Sequence, residues 1–183
     1  MEIFPLSEER IPAVAALMSA IKPDWWDYDG AVSQLSGTDA VVQTVGWYLG
    51  EDAEHPKGWI LCRELLGYRA LELECCGYDD SGVFKLEHRL GDLMETAERY
   101  AHGKGYLTFR SGISSTGFSI DGQELRDIPQ AMATLKSDRI DYHWYLEHGF
   151  RVIGIHPNAY EIGSHLILLG KELCLNKLPA PAS

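Results

Sequence analysis

A tyrosine near the end of a short aromatic segment is the side chain of this sequence best suited to acid–base chemistry. The segment reads Asp-Tyr-His-Trp-Tyr-Leu-Glu-His-Gly-Phe over residues 141–150, and it places Tyr145 four residues before Gly149. A phenol with an ordinary pKa of about 10 can give a proton to a strong base during a reaction. The alternative is a tyrosine that packs in the core, and the segment alone leaves both readings open.

Two carboxylates stand two residues apart in a segment that alternates between apolar and other side chains. Over residues 68–78, Leu71, Leu73 and Cys75 alternate with Glu72, Glu74 and Cys76. This period of two predicts a strand with one apolar face, and it places both glutamates on the other face. Such a pair could do acid–base chemistry, or it could be a solvated strand face.

The thiols and hydroxyls of the sequence do not form a recognisable metal or hydrolase motif. The four cysteines, Cys62, Cys75, Cys76 and Cys174, lack metal-ligand spacing. We therefore predict reduced, mostly buried thiols and no metal site. A serine hydrolase is also disfavoured because the chain has no Gly-x-Ser-x-Gly turn.

The elements that must position these groups follow from the pattern of apolar residues. Gly149 suits the left-handed residue that closes a helix, so the aromatic segment is predicted to be a helix that passes directly into a strand. Other helices are predicted from about residue 7 to 21, from 85 to 102 and within 125–135, where Pro129 must lie in the first turn. The predicted strands cover residues 3–4, 41–49, 58–65, 68–78, 106–109, 150–155 and 165–169. The helix at 85–102 lies between the strands at 68–78 and 106–109, and this order predicts a right-handed βαβ unit.

Length and charge limit the kinds of protein that this chain can be. Its 183 residues predict one domain over residues 1–175, followed by a flexible tail at 176–183. The net charge of −11 argues against nucleic acid as a partner and is compatible with a cationic amine. There is no apolar run long enough to cross a membrane and no basic N-terminal leader, so we expect a cytoplasmic protein without a membrane partner.

The order of elements resembles the GNAT superfamily of acyl-CoA N-acyltransferases over nearly the whole chain. The resemblance is strongest over residues 68–107 and 142–173, where Trp144-Tyr145-Leu146-Glu147-His148-Gly149-Phe150 looks like the aromatic-Tyr-x-x-x-Gly-Phe ending of that superfamily. It implies an α/β (α+β) fold with a mixed central sheet whose strands splay apart and are flanked by helices.

The resemblance also implies an acetyl-CoA site, although the phosphate loop is degenerate in this sequence. The pantetheine arm would pair with the backbone of the fourth strand at Cys75, Cys76 and Gly77, and the pyrophosphate would meet the start of the next helix. One register of the loop puts Lys85, His88 and Leu90 at its key positions. A register one turn later uses His88, Arg89, Leu90 and Gly91 and shortens the helix. The family often has a polar residue on the coenzyme after the next strand, where this chain has Ser111, Ser114 and Ser115.

As a GNAT member, the chain would transfer an acetyl group from acetyl-CoA to a primary amine by direct attack in a ternary complex. Tyr145 would be the general acid, and Glu72 or Glu74 the base. Trp25, Trp26 and Tyr28 would line the pocket of a small amine substrate, although they could equally be a satellite core. Two other readings stay open at this point: a catalytically inactive GNAT-fold module that binds a ligand or regulates, and a structural protein that forms a homodimer.

Overall fold

The computed structural model describes residues 1–37, 43–79 and 87–173 of the chain. These residues form two compact units, Met1–Leu107 and a second that begins at Thr108. The prediction of a single domain stays a prediction, and the predicted tail at 176–183 lies outside the described residues.

The first unit is a four-stranded antiparallel sheet with helices on both faces. Leu61 of the third strand packs against the first two helices, whereas Glu64 of the same strand bonds to Tyr100 of the third helix. Residues an odd number apart in a strand point to opposite faces, so the sheet lies between two helical layers. The elements are β1 (Glu2–Pro5), α1 (Ile11–Ile21), α2 (Tyr28–Ser36), β2 (Gln43–Gly50), β3 (Pro56–Leu65), β4 (Ala70–Tyr78) and α3 (Glu87–Gly103), and the strand order is β1-β2-β3-β4.

A β-bulge in β4 changes the predicted pattern of faces. Leu61 pairs with Cys75 and the next residue, Cys62, pairs with Leu73, so Glu74 is the extra residue on β4. Because Leu61 and Cys62 point to opposite faces of the sheet, Leu73 and Cys75 do so too. The prediction of one apolar face shared by Leu71, Leu73 and Cys75 is therefore wrong. The buried–intermediate alternation continues through the bulge, which is why the sequence pattern conceals it.

The second unit is a three-stranded antiparallel sheet with two short helices. Its elements are β5 (Thr108–Ser114), α4 (Ile128–Ala133), α5 (Ile140–Glu147), β6 (Arg151–Glu161) and β7 (Ser164–Glu172), and the strand order is β5-β7-β6. Pro129 lies in the first turn of α4, as predicted, and the Asp127 side chain caps this helix by accepting from the N–H of Gln130.

Several predicted boundaries shift for identifiable reasons. The strand expected at residues 106–109 begins only at Thr108 and continues to Ser114, because the Tyr106 N–H bonds to the Ala101 carbonyl at the end of α3, at 2.9 Å, and not to a neighbouring strand. The last two strands are longer than predicted and form a hairpin through Gly163, whose φ is +83°. The helix expected from residue 85 is described from Glu87 onwards.

Candidate active site

Tyr145 occupies a fixed position in the C-terminal turn of α5. Gly149 has a φ of +82°, its N–H bonds to the carbonyl of Leu146 at 3.0 Å, and the Phe150 N–H bonds to the carbonyl of Tyr145 at 3.1 Å. This pair of bonds is the Schellman motif, which ends a helix and satisfies its last carbonyls. The backbone carbonyl of Tyr145 thus accepts the outer hydrogen bond of the motif, so the turn that closes the helix at Gly149 also fixes the backbone of Tyr145.

The Tyr145 ring is buried among aromatic neighbours, and its hydroxyl meets Ser111. The ring is 6% exposed and makes edge-on contacts with Phe150 at 5.2 Å and Trp144 at 5.3 Å between centroids. Its phenolic oxygen lies 2.9 Å from the Ser111 hydroxyl oxygen. Ser111 was predicted to follow a strand, but it lies in the middle of β5, on the buried face with Phe109. The structure therefore brings two predicted site residues into direct contact.

Arg139 ties the beginning of α5 to the end of β5. Its guanidinium donates to the carbonyls of Ser114, at 3.0 Å, and Thr116, at 2.8 Å, and it forms an ion pair with Asp141. Burial by itself raises the pKa of Asp141, but the hydrogen bonds and charge of Arg139 outweigh it and lower this pKa below its ordinary value. The helix that carries Tyr145 is thus fixed at both ends. Arg139 belongs to no motif in the sequence, and its position two residues before Asp141 was the available signal.

The two glutamates of β4 remain on one face, although for a different reason than predicted. Glu72 pairs across the sheet with Arg63, and Glu74 at the bulge forms an ion pair with the same Arg63 at 2.7 Å. Gln34 of α2 also donates to the same oxygen of Glu74, at 3.0 Å. Both carboxylates therefore belong to the helix α1–α2 side of the sheet, and Glu74 is already engaged by two donors.

The fold is similar to that of known acetyltransferases over its full length. An aminoglycoside 6'-N-acetyltransferase from Enterococcus faecium superposes with a TM-score of 0.77 at 18% identity, each chain being covered completely. An aminoglycoside 6'-N-acetyltransferase complexed with coenzyme A gives a TM-score of 0.76 at 17% identity with the same coverage. The ribosomal-protein-S18-alanine N-acetyltransferase from Escherichia coli gives 0.63 at 12% identity, with 100% of this chain and 98% of that chain covered.

The chain has the GNAT fold. No protein-family model matches the sequence, and no curated protein sequence is significantly similar to it. The likeness therefore lies in the structure, and it confirms the fold that the aromatic helix and the order of elements predicted.

Of the two predicted registers of the degenerate phosphate loop, only the later one lies wholly within the described residues. The later register treats residues 88–93 as a loop, but they lie inside α3, which shows that the shortened helix is wrong. Leu90 is 9% exposed and packed, and Gly91 is a helical residue rather than a loop glycine. Arg89 forms an ion pair with Asp92 at 3.0 Å and donates to the Met1 carbonyl. In the earlier register, Lys85 lies outside the described residues and His88 belongs to α3, so its role stays a prediction.

The predicted pantetheine segment of β4 has side chains that serve packing. Cys75 lies in the hydrophobic cluster formed with α1 and α2, and burial raises the pKa of its thiol to about 12. Burial also raises the pKa of Cys62 well above its ordinary value. A Cβ on Gly77 would meet the Trp59 ring at 2.3 Å, so the indole requires glycine there. The prediction that Cys75, Cys76 and Gly77 hold a coenzyme rests on backbone groups and stays a prediction.

The three aromatic residues predicted to bind substrate divide into two kinds. Trp26 packs against the hydrophobic cluster of the first unit, as the satellite-core reading expected. Trp25 is 70% exposed and Tyr28 is 46% exposed. The ammonium of Lys22 lies 5.3 Å from the centre of the Trp25 ring, so this indole already carries a cation on its face.

The described part of the chain has neither a metal-binding cluster nor a helix that could cross a membrane. Within residues 1–37, 43–79 and 87–173, no group of three or more His, Cys, Asp or Glu side chains could hold a metal ion. No helix among the same residues is long and apolar enough to cross a membrane.

Proposed function

We propose that this protein is an acetyl-CoA-dependent N-acetyltransferase that acts on a small primary amine by direct attack in a ternary complex. The observation that carries the proposal is Tyr145, a buried phenol fixed in the last turn of α5 and hydrogen-bonded to Ser111, in a chain with the GNAT fold. The full-length likeness to several N-acetyltransferases supports the same reaction class.

The proposed reaction includes two proton transfers, one from Tyr145 and one to a carboxylate. The nitrogen of the neutral amine forms a bond to the thioester carbon while the carbon–sulfur bond breaks. Tyr145 gives its proton to the departing sulfur, and the amine loses a proton to a carboxylate, directly or through water. Solvent then returns a proton to the phenolate and takes the proton from the carboxylic acid, so that free coenzyme A and an N-acetyl amide are the products.

Both Glu72 and Glu74 stay candidates for the base. The Glu74 oxygen would have to leave Arg63, at 2.7 Å, and Gln34, at 3.0 Å, before it could accept a proton from an amine. Glu72 lies on the same face of β4, opposite Arg63 in the sheet register.

For acetyl-CoA, the chain offers groups of the right type but not the usual phosphate loop. The backbone of Cys75, Cys76 and Gly77 would hold the pantetheine arm, and the first turn of α3 near His88 and Arg89 would face the pyrophosphate, because helix N-termini favour anions. Arg89 would reach a phosphate only by exchanging its partners Asp92 and the Met1 carbonyl. Acetyl-CoA supplies the activated acyl group when bound.

We propose a cationic small molecule as the amine substrate. The chain carries a net charge of −11, and Trp25 and Tyr28 expose aromatic faces beside Asp24 and Asp29. Trp25 already holds the Lys22 ammonium on its ring, which is the contact that an ammonium-bearing substrate would use. Aminoglycoside acetyltransferases are among the structural neighbours, so polycationic amino sugars are the first compounds to test. The cytoplasmic location and the possible homodimer stay predictions.

Calorimetric titration of the whole chain with acetyl-CoA and with coenzyme A tests the proposal and its main rival together. We expect both ligands to bind with dissociation constants in the micromolar range, as substrates of enzymes commonly do. Absence of binding at millimolar acetyl-CoA would refute the enzyme. Binding without release of free thiol, over a panel of primary amines, would favour the alternative of an inactive ligand-binding or regulatory module.

A further inference from the structure

Ser111 and Tyr145 form a hydroxyl pair that is shielded from water. Ser111 is 3% exposed and Tyr145 is 6% exposed, and their oxygens are 2.9 Å apart. The serine stands between the buried residues Phe109 and Ile113 on β5 and pairs with Leu169 of β7, which is fully buried. A hydrogen bond in such apolar surroundings is electrostatically stronger than the same bond in water.

The direction of this hydrogen bond decides whether Tyr145 can act as an acid. Each hydroxyl has one proton to donate and can also accept. If the phenol donates to Ser111, its proton is committed to the serine. If Ser111 donates, the phenolic proton remains available for another atom, and the serine proton stays in contact with the phenolic oxygen after that transfer. Hydrogen bonds to an ionised oxygen are shorter and roughly twice as strong as neutral ones, so the contact becomes tighter when the phenolate forms.

We propose that Ser111 is a positioning residue that acts through Tyr145, by donating its hydroxyl proton to the phenolic oxygen and stabilising the phenolate left by proton transfer to the sulfur. This inference rests on the proposed function. It differs from the sequence-based reading, in which Ser111 touches the coenzyme. The serine proton does not leave the serine, and the proton given to the sulfur is the phenol's own.

Other charged groups near Tyr145 can be held constant in a test. His148 directly follows α5, with its Nδ1 2.8 Å from the Trp144 carbonyl oxygen, and Lys171 of β7 lies against Gly149. Glu147 lies on the same helix, and the packed neighbours Phe150 and Trp144 carry no charge. Substitutions at Ser111 leave all of these groups in place, so their effects on the Tyr145 phenol are common to the variants.

A double-mutant cycle with Ser111→Ala and Tyr145→Phe tests whether the serine acts through the tyrosine. We expect Ser111→Ala to lower kcat by about 10- to 100-fold, since a hydrogen bond to a charged group contributes that much, with KM for acetyl-CoA little changed. In the Tyr145→Phe background the same change should lower kcat less than about twofold. Equal losses in both backgrounds would overturn the proposal in favour of a separate contact with a substrate. Ser19→Ala, which removes a hydroxyl bonded to the Ala16 carbonyl of α1, is the matched control.

NMR titration of protein labelled with ¹³Cζ-tyrosine tests the contact without any substrate. The resonance missing from Tyr145→Phe identifies Tyr145, and its titration midpoint should move up by about one to two pH units in Ser111→Ala. Ser111→Cys, with a weaker donor, should give an intermediate midpoint and serves if the alanine variant does not fold. An unchanged midpoint in both variants would overturn the inference even if the enzyme is active. A raised midpoint in a protein that acetylates no amine would support the Ser111 contact while the proposed function failed.

Discussion

At the scale of single residues, the proposed reaction depends most on the phenol of Tyr145. Tyr145→Phe removes one oxygen and keeps the ring contacts with Phe150 and Trp144, so the fold should be retained. A positioned acid contributes about 10²–10⁴-fold, and we expect kcat for acetyl transfer to fall within that range while KM for acetyl-CoA changes little. Steady-state assays of coenzyme A release measure both constants.

The matched control removes the hydroxyl of a tyrosine outside the site. Tyr160 is 62% exposed on β6, and Tyr160→Phe should have the kinetic constants of the unaltered protein. A Tyr145→Phe variant as active as Tyr160→Phe would mean that Tyr145 is a packed core tyrosine, the alternative that the sequence leaves open.

A second cluster of tyrosines makes a prediction about alkaline stability. Tyr100 and Tyr106 both donate to one oxygen of Glu64, each at 2.7 Å. Burial, together with the bond to this carboxylate, raises the pKa of Tyr106 to about 12 and raises that of Tyr100 as well. The folded protein therefore holds these protons more tightly than the unfolded chain does, so this stabilisation is complete below about pH 10 and is lost as the pH rises toward 12.

The alkaline loss of stability can be tested by measuring the free energy of unfolding in urea, at several pH values, for the unaltered protein and for Tyr106→Phe. The variant should be less stable at pH 7, because it leaves Glu64 with one donor fewer, and the difference between the two proteins should narrow above about pH 10. A difference that stays constant up to pH 11.5 would show that Tyr106 does not titrate with unfolding.

At the scale of elements, the turn between α5 and β6 connects stability to the position of Tyr145. Gly149→Ala places a Cβ on a residue with a φ of +82°, and we expect a loss of about 1–2 kcal/mol in the free energy of unfolding, because left-handed backbone is costly for residues other than glycine. The nearest atom to the added Cβ is a side-chain carbon of Lys171 at 3.4 Å, so the cost comes from the backbone rather than from a clash.

Gly103→Ala is the control for this substitution. Gly103 is the last residue of α3, and apart from its chain neighbours and the backbone of its own helix no heavy atom lies within 4 Å of an added Cβ. The free energy of unfolding of the Gly103→Ala variant, measured in urea, should differ from that of the unaltered protein by less than about 0.5 kcal/mol. Equal stabilities of the two variants would contradict the role assigned to Gly149.

The same elements show how far the sequence predicts the structure. The aromatic segment was predictable because periodicity and a closing glycine act locally, within one helix and its turn. The bulge at Glu74 was not predictable from the sequence, because it depends on pairing with Leu61 and Cys62 in another strand. It also preserves the alternation of burial along β4. Ser111 was found as a candidate but not as the partner of Tyr145, since a contact between β5 and α5 over 34 positions leaves no local pattern.

At the scale of the whole molecule, charge should affect how the proposed cationic substrate would reach the protein. With a net charge of −11, we expect kcat/KM for a polycationic amine to fall when the ionic strength rises from about 0.01 M to 0.15 M, over which the screening length shortens from about 30 to 8 Å. A neutral amine of similar size should show little change. Equal salt dependence for the two substrates would argue against a cationic substrate.

The most direct test of the account is mass-spectrometric detection of an acetylated amine. Purified protein would be incubated with acetyl-CoA and a panel of primary amines that includes polycationic amino sugars, in parallel with Tyr145→Phe. We predict that at least one amine gains the mass of a single acetyl group together with stoichiometric coenzyme A release, and that Tyr145→Phe forms this product far more slowly. If no amine is acetylated while acetyl-CoA binds to the folded protein, the chain is a GNAT-fold binding module and not an N-acetyltransferase.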